Sequence, residues 1–372
     1  RRAVFCEYHA AFADQMPRFS TMTEIVVSAE DDAEARRVTL TNTGRAPREN
    51  EETSYSELVL APAASDLAHP AFSKMFVVTD FHPELGAIVA TRRRRSPDDP
   101  EIWAAHIAVV EGEETAPIQI ETDRARFVGR GRSLRDAAMA QAPLSGTTGT
   151  VLDPIFAIRR RVLVPAGGVT RVTFWTMVAS DPVVLLDLVD RHRDPSAYAR
   201  AATLAWTRAQ VQLRHLGISH AEVAHFQSLG GMVIRGDGRL RSSPARILAG
   251  AAPQSALWAC GISGDLPIVL LVIDDIQDMA ALHQVLSAHE YWGMRQLAVD
   301  LVILNDRSSS YVQDLQFAID SAVRAAGMRA RPEGIHAPIH GSVHVLRADL
   351  IALDARAMLL SVARVVLVAS RG

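Results

Sequence analysis

The hydrophobic pattern changes period at Asp181-Pro182, and that change constrains the chain more than any single motif. Upstream, short runs rich in β-branched and aromatic residues recur at 24–28, 37–41, 55–60, 75–81, 87–91, 103–110, 155–164 and 170–178. None has helical periodicity, and turn residues separate them, as at Asn42-Thr43-Gly44 and Pro165-Ala166-Gly167-Gly168. So many short strands predict a large antiparallel β-sandwich over residues 1–180.

Downstream the period is helical. Asp181-Pro182 and Asp194-Pro195 each read as an N-cap with proline at the first helical position. The second opens a helix that runs to Leu216 and stops at Gly217. Leu204, Trp206, Val211 and Leu213 give it an apolar side; Arg200, Arg208, Gln212 and Arg214 give it a polar one. Ser219 caps a further helix, expected to end near Leu229 because Gly230-Gly231 and Gly236-Asp237-Gly238 follow. Residues 181–265 therefore read as a helical linker with a connecting loop. Over 266–372 strands and helices alternate: strands at 266–273, 299–304, 343–347 and 365–369, helices at 276–297, 311–326 and 353–362. Such alternation implies right-handed crossovers and a small α/β region with a mostly parallel sheet. The fold class expected is thus multidomain α+β.

The totals exclude several functions. With 372 residues and 48% hydrophobic content, the chain can bury cores for two or three domains. A net charge of -3 gives no field that would hold nucleic acid or an anionic membrane. Lys74 is the only lysine, and its Ser-Lys-Met setting fits neither a phosphate-loop lysine nor a Schiff base. Cys6 and Cys260 have no metal spacing, so neither a disulfide framework nor a zinc site is expected. The apolar run 266–273 is too short to span a bilayer, so no direct membrane insertion is expected. The sequence opens on Arg1-Arg2 within a strand-like pattern and has no signal peptide, so both ends read as cut from a longer chain.

Individual motifs are weaker. Arg92, Arg93, Arg94 and Arg95 read as a solvated loop, although arginines can also clamp phosphate. Gly129-Arg130-Gly131-Arg132 lacks the third glycine and the strand-to-helix setting of a dinucleotide loop. Leu144-Ser145-Gly146-Thr147-Thr148-Gly149 reads as turn chemistry, with hydroxyls that could meet a sugar. His289, beside Tyr291 and Trp292, reads as a packed histidine. Asp274, Asp275, Asn305, Asp306, Arg347 and Asp349 stand at strand ends, where open α/β sheets bind ligands, but helix capping is the favoured reading. The most distinctive stretch joins the linker to the first α/β strand: Leu257-Trp258-Ala259-Cys260-Gly261-Ile262-Ser263-Gly264-Asp265-Leu266-Pro267. Trp258, Ser263 and Asp265 are its candidate substrate-binding residues, by ring stacking and hydroxyl recognition. The favoured alternative is a buried structural turn with Trp258 in the core.

Longer strings point to a family. Residues 257–273, 288–305 (AHEYWGMRQLAVDLVILN), 310–316, 53–76 (TSYSELVLAPAASDLAHPAFSKMF), 127–134, 144–156 and 203–216 (TLAWTRAQVQLRHL) resemble bacterial cyclic β-1,2-glucan synthases, in order and over essentially the whole chain. The resemblance implies the C-terminal region of such a synthase, related to family 94 glycoside phosphorylases. Residues 1–180 would be its β-supersandwich, followed by linker helices, with the catalytic α/α barrel beyond this chain. The implied partners are β-1,2-glucan or a related oligosaccharide and the remaining domains of the same polypeptide. The implied location is the cytoplasmic side of a bacterial inner-membrane protein. No cofactor or metal and no complete catalytic site are expected in this chain. Cys260 stands where the family pattern has histidine, and Val272 where it has arginine.

Three readings follow from these residues. The first is a non-catalytic portion of a glucan synthase. The second is a self-contained carbohydrate-active enzyme on β-glucans, with its acid among Asp265, Asp274 and Asp306. The third is a nucleotide-binding α/β domain fused to a sandwich, against which the missing glycine-rich loop after Ile273 weighs.

Overall fold

The computed structural model describes residues 2–97, 99–307, 313–329 and 341–371, and it divides into two compact units, Arg1–Gln210 and Val211–Gly372. The first is a β-sandwich. Its larger sheet holds β1 (Arg2–Phe5), β2 (His9–Met16), β3 (Phe19–Val27) and β4 (Ala33–Asn42). Between that sheet and the next come β5 (Arg48–Thr53), β6 (Ser56–Glu57), α1 (Ala63–Ala68) and α2 (Pro70–Lys74). The larger sheet resumes with β7 (Val77–His82), β8 (Ala87–Arg92) and β9 (Trp103–Glu111). After β10 (Glu113–Glu114), β11 (Gln119–Asp123), α3 (Arg124–Val128) and β12 (Pro154–Val164), β13 (Val169–Ala179) completes it. The strand order is β1-β2-β3-β4-β13-β9-β8-β7, and every pairing is antiparallel. In the smaller sheet the long β12 is central, with β5 and β6 pairing it, and β10 and β11 likewise.

Alternation explains the layers. Phe156, Ile158, Val162 and Val164 of β12 face Leu40, Ile88, Val172 and Phe174 of the larger sheet, which makes the inter-sheet core. The opposite face of the larger sheet carries Ala35, Val89, Ile107, Trp175 and Met177. It is covered by α4 (Pro182–His192) and the first part of α5 (Ser196–Leu216), through Leu185, Leu188, Val189 and Tyr198. Asp181 caps α4 as expected, accepting from the Val183 and Val184 amides. The outer face of the smaller sheet packs Ile155 and Ala157 on Phe127, Val128 and Leu144.

Three expectations are corrected. The 55–60 run is a strand only over Ser56–Glu57, and two short helices follow inside a region that reads as all-β. β5 reads RENEET, which lacks the apolar alternation that marks a strand, and its edge position needs none. The third correction concerns α6 (His220–Arg235), capped by Ser219 with Glu222 in a capping box. It runs straight through Gly230-Gly231 to a left-handed Gly236. Gly230 is a packing glycine: a Cβ there would lie 3.0 Å from Trp292 Nε1.

The second unit is a parallel sheet. After α7 (Pro244–Ala249), β14 (Ile268–Ile273), α8 (Met279–Met294), β15 (Asp300–Asn305), α9 (Asp314–Arg329), β16 (Val343–Arg347), α10 (Leu353–Val362) and β17 (Val365–Val368) alternate. The expected helix over 311–326 has its first two residues outside the described ones. Strand order is β16-β15-β14-β17, all parallel. Val269, Leu271, Ile273, Leu301 and Ile303 pack on α8 and α9, together with Phe226 of α6. Leu270, Val302 and Leu304 pack on α10 and on Leu257 and Ile262. Crossovers therefore lie on one face for β14 to β16 and on the other for β17. No helix among the described residues is long and apolar enough to cross a membrane.

Candidate functional site

The distinctive loop sits at the entry to the parallel sheet. Residues Gln254–Cys260 form a 3-10 helix that ends on Gly261 in the left-handed region, at φ 72°. The Gly261 amide donates to Trp258 O at 2.9 Å and the Ile262 amide to Leu257 O at 3.2 Å. This turn sends Leu257 and Ile262 into the core against α10 and leaves Trp258 outside, 66% exposed. The core placement expected for Trp258 is thus corrected: its two apolar neighbours in the loop take the buried places. The loop is nonetheless well tied. Trp258 Nε1 donates to Ser263 O at 3.3 Å, and Gln254 Nε2 donates to the same oxygen at 2.9 Å and to Asp265 Oδ1 at 3.2 Å. The Asp265 amide donates to Ser263 Oγ at 3.2 Å. The structure therefore brings Trp258, Ser263 and Asp265 together around Gln254, which the sequence did not single out. Gln254 and Asp265 line a hollow of about 600 Å³ that Pro267 and Arg364 also border.

The loop thus offers an exposed indole face and a carboxylate held by Gln254, both on hydrogen-bonded backbone. Cys260, in the same loop, is half-buried, and burial pushes its thiol up, which favours the protonated form. Val272 is a sheet residue packed against the α10 face.

Three of the six strand-end residues are ion-paired rather than capping. Only Asp275 caps, accepting from the Gln277 amide at 2.9 Å. Asp306 meets Arg356 at 2.6 Å, and Asp349 meets Arg347 at 2.6 Å. The Arg347 guanidinium holds the Asp349 carboxyl below its ordinary value. Asn305 donates to Gln316 Oε1 at 2.9 Å. His289 is packed, its Nε2 2.8 Å from Val299 O.

In the sandwich the polar groups close on one another. Lys74 Nζ lies 2.8 Å from Asp153 and 3.7 Å from Glu57, and Arg124 reaches Tyr55, Glu57 and Asp153 at 3.0, 3.0 and 3.4 Å. Burial and the Glu57 contact push the Tyr55 phenol up to about 12. Two cations balance two carboxylates here, so the cluster pins α2, β6 and α3 together without excess charge for a ligand. The 144–149 loop is likewise docked, through Ser145 on Glu121, Thr147 O on Thr122 and Gly149 on Thr79. Of the four consecutive arginines, Arg92 turns inward to Ser73 O and Val59 O, while Arg93, Arg94 and Arg95 are exposed. Both cysteines are free thiols, and no metal-holding group of His, Cys, Asp and Glu occurs among the described residues.

Comparison with known proteins adds to this geometry. Residues 2–195, more than half of the chain, match the family model "Glycosyl hydrolase 94, supersandwich domain". The chain belongs to this family. The supersandwich and the unit after it are together 41% identical, over 370 residues and 99% of this chain, to "Cyclic beta-(1,2)-glucan synthase NdvB" of Rhizobium meliloti (strain 1021). The chain spans only 13% of that relative's length. Among solved structures, one titled "Putative kojibiose phosphorylase from human microbiome" overlaps 55% of this chain and 23% of its own, with 5% identity and a TM-score of 0.32. A polysaccharide lyase overlaps 51% and 24%, with 12% identity and a TM-score of 0.29. Likenesses at such scores carry no argument about the supersandwich.

Proposed function

We propose that this chain is a non-catalytic portion of a cyclic β-1,2-glucan synthase-like protein, supporting carbohydrate binding and the architecture of its phosphorylase-like region. The observation that carries this reading is the 41% identity over 99% of the chain to a protein named as such a synthase. Its partners would be a β-1,2-glucan and the other domains of the same polypeptide, and its glucan contact would be the Trp258, Ser263 and Asp265 face. Two of the acids that a self-contained enzyme could use are engaged: Asp306 by Arg356 and Asp265 by Gln254. The test is to incubate the purified chain with linear and cyclic β-1,2-glucan and phosphate. Binding without release of glucose 1-phosphate is expected; release above a heat-killed control would refute the non-catalytic part. The same reading places the chain on the cytoplasmic side of a bacterial inner membrane, which protease protection in intact spheroplasts would check.

A further inference from the structure

The second unit has a larger cleft, of about 920 Å³, distinct from the Trp258 loop in its lining. Three features of it converge. Its position is the first. The order β16-β15-β14-β17 places the first strand beside the fourth, and the crossovers change face between them. Open parallel sheets of this kind bind ligands in the crevice outside the strand ends at such a switch point. The cleft includes Val272 near the end of β14, Asp306 just past β15, and Val368 and Ala369 at the end of β17.

The second feature is charge. Arg239, Arg241, Arg246 and Arg356 line the cleft against a single carboxylate, Asp306, with Ser242, Ser243 and Gln284 as further donors. Two of the arginines are engaged: Arg356 by Asp306 at 2.6 Å and Arg239 by Asp237 at 2.7 Å. Arg246 has no side-chain partner among the described residues. Arg241 spends Nη2 on Ser361 O at 3.2 Å, but its Nε is buried and has no hydrogen-bond partner. A buried guanidinium donor left unpaired is costly, and an anion that accepts from it removes the cost. The third feature is the apolar part of the lining, its floor, made by Phe226, Leu229, Leu240, Leu271, Leu360 and Leu367. The volume lies within the usual range for sites that enclose small organic molecules, and it far exceeds what a bare phosphate needs.

We propose that this cleft binds a phosphate ester, its phosphate held by Arg241 and Arg246 and its organic part lying on the apolar floor. Here the arginines of the 239–246 segment take the place that a glycine-rich loop occupies in other switch-point sites. The site is separate from the glucan contact proposed above and does not depend on it.

Titration calorimetry on the full 372-residue chain tests this with four probes: adenosine diphosphate, glucose 6-phosphate, inorganic phosphate and adenosine. At least one of the two esters should bind, and should bind about tenfold or more tightly than either inorganic phosphate or adenosine, because only esters use both cations and floor. Whichever ester is tighter identifies the organic part. Arg246→Gln, at an exposed and unpaired position, should keep the wild-type melting temperature and weaken the ester about tenfold, the usual worth of a charge-assisted contact. Arg241→Gln should weaken it further, and 0.5 M salt should weaken wild type more than Arg246→Gln. Adenosine or inorganic phosphate binding as tightly as both esters would overturn the proposal. So would ester affinity unchanged in Arg246→Gln, or no ester binding at all. β-1,2-glucan binding should be unaffected by Arg246→Gln, which separates a failure here from a failure of the glucan reading.

Discussion

The His106 ring lies parallel to those of Phe156 and Phe174, within 8° and 5°. Thr176 and Ser54 hydroxyls meet its nitrogens at 3.0 and 2.8 Å. Burial lowers its pKa from 6.5 to about 4. The unfolded chain therefore binds this proton first as pH falls, so the stability this neutral ring permits is fully present above 6.5 and is lost as pH drops through about 4. The full effect is roughly 3 kcal/mol. Glu52 has the opposite sign. It stands across from Arg160 in the β5–β12 pair, but Arg160 is held by Glu114 at 2.6 Å, and burial raises Glu52 to about 7. Its contribution is present below 4.5 and is lost as pH rises through 7. Glu52→Gln should therefore raise the sandwich's melting temperature at pH 8, by roughly 1–3 kcal/mol of stability, and leave the acid limb from His106 exposed to view. Melts from pH 4 to 8 check both slopes. Trp258→Ala tests the loop: with the ring outside the core, stability should move by no more than about 0.5 kcal/mol. If the indole is the glucan platform, affinity should fall tenfold or more, about 1.4 kcal/mol. A large loss of stability with unchanged binding would remove Trp258 from the site.

α6 contains two adjacent glycines that the same substitution should affect in opposite directions. A Cβ at Gly230 meets Trp292 Nε1 at 3.0 Å and Leu297 at 3.4 Å. Trp292 cannot give way easily: it is 2% exposed, and its indole donates to Phe226 O at 2.9 Å. The helix-propensity gain of about 1 kcal/mol is then outweighed by overpacking, and Gly230→Ala should be destabilising by roughly 1–2 kcal/mol net. At Gly231 the nearest atom is the Arg235 guanidinium at 3.3 Å, the free end of a flexible side chain. Gly231→Ala should stabilise by about 0.5–1 kcal/mol. Urea melts of the two variants, followed through the helical signal, should shift to opposite sides of wild type.

At the scale of the whole molecule, the cores of the two units share no residue among those described: one set is built on β12 and β13, the other on β14 and β15. Each should then answer to its own mutations. Leu270→Ala, at a fully buried position of β14, should cost the α/β unit about 2–5 kcal/mol. Calorimetry should show that transition moving down while the sandwich transition stays in place. A single transition shifting as a whole would mean that the two units do not melt independently.

What the sequence determined by itself is what depends on local chemistry. The change of period at Asp181, the Asp181 and Ser219 caps, the Gly217 stop and the alternation of strands and helices after 266 are set by residues within a few positions of one another. So is the family likeness, which rests on long strings. Where the sequence misled, the deciding contact was distant. Gly230-Gly231 reads as a break because glycine is a poor helix former, but the helix is held by Trp292, which fills the space a side chain would need. β5 is invisible as a strand because its partner β12 supplies the order and its own residues bury little. Trp258 looks like a core residue by type, and only the turn at Gly261 and the burial of Leu257 and Ile262 turn it outward. The arginine cleft could not be read at all. It joins 239–246 to Arg356 and to three strand ends, and charges so far apart in sequence meet only because a parallel sheet folds their segments to one edge.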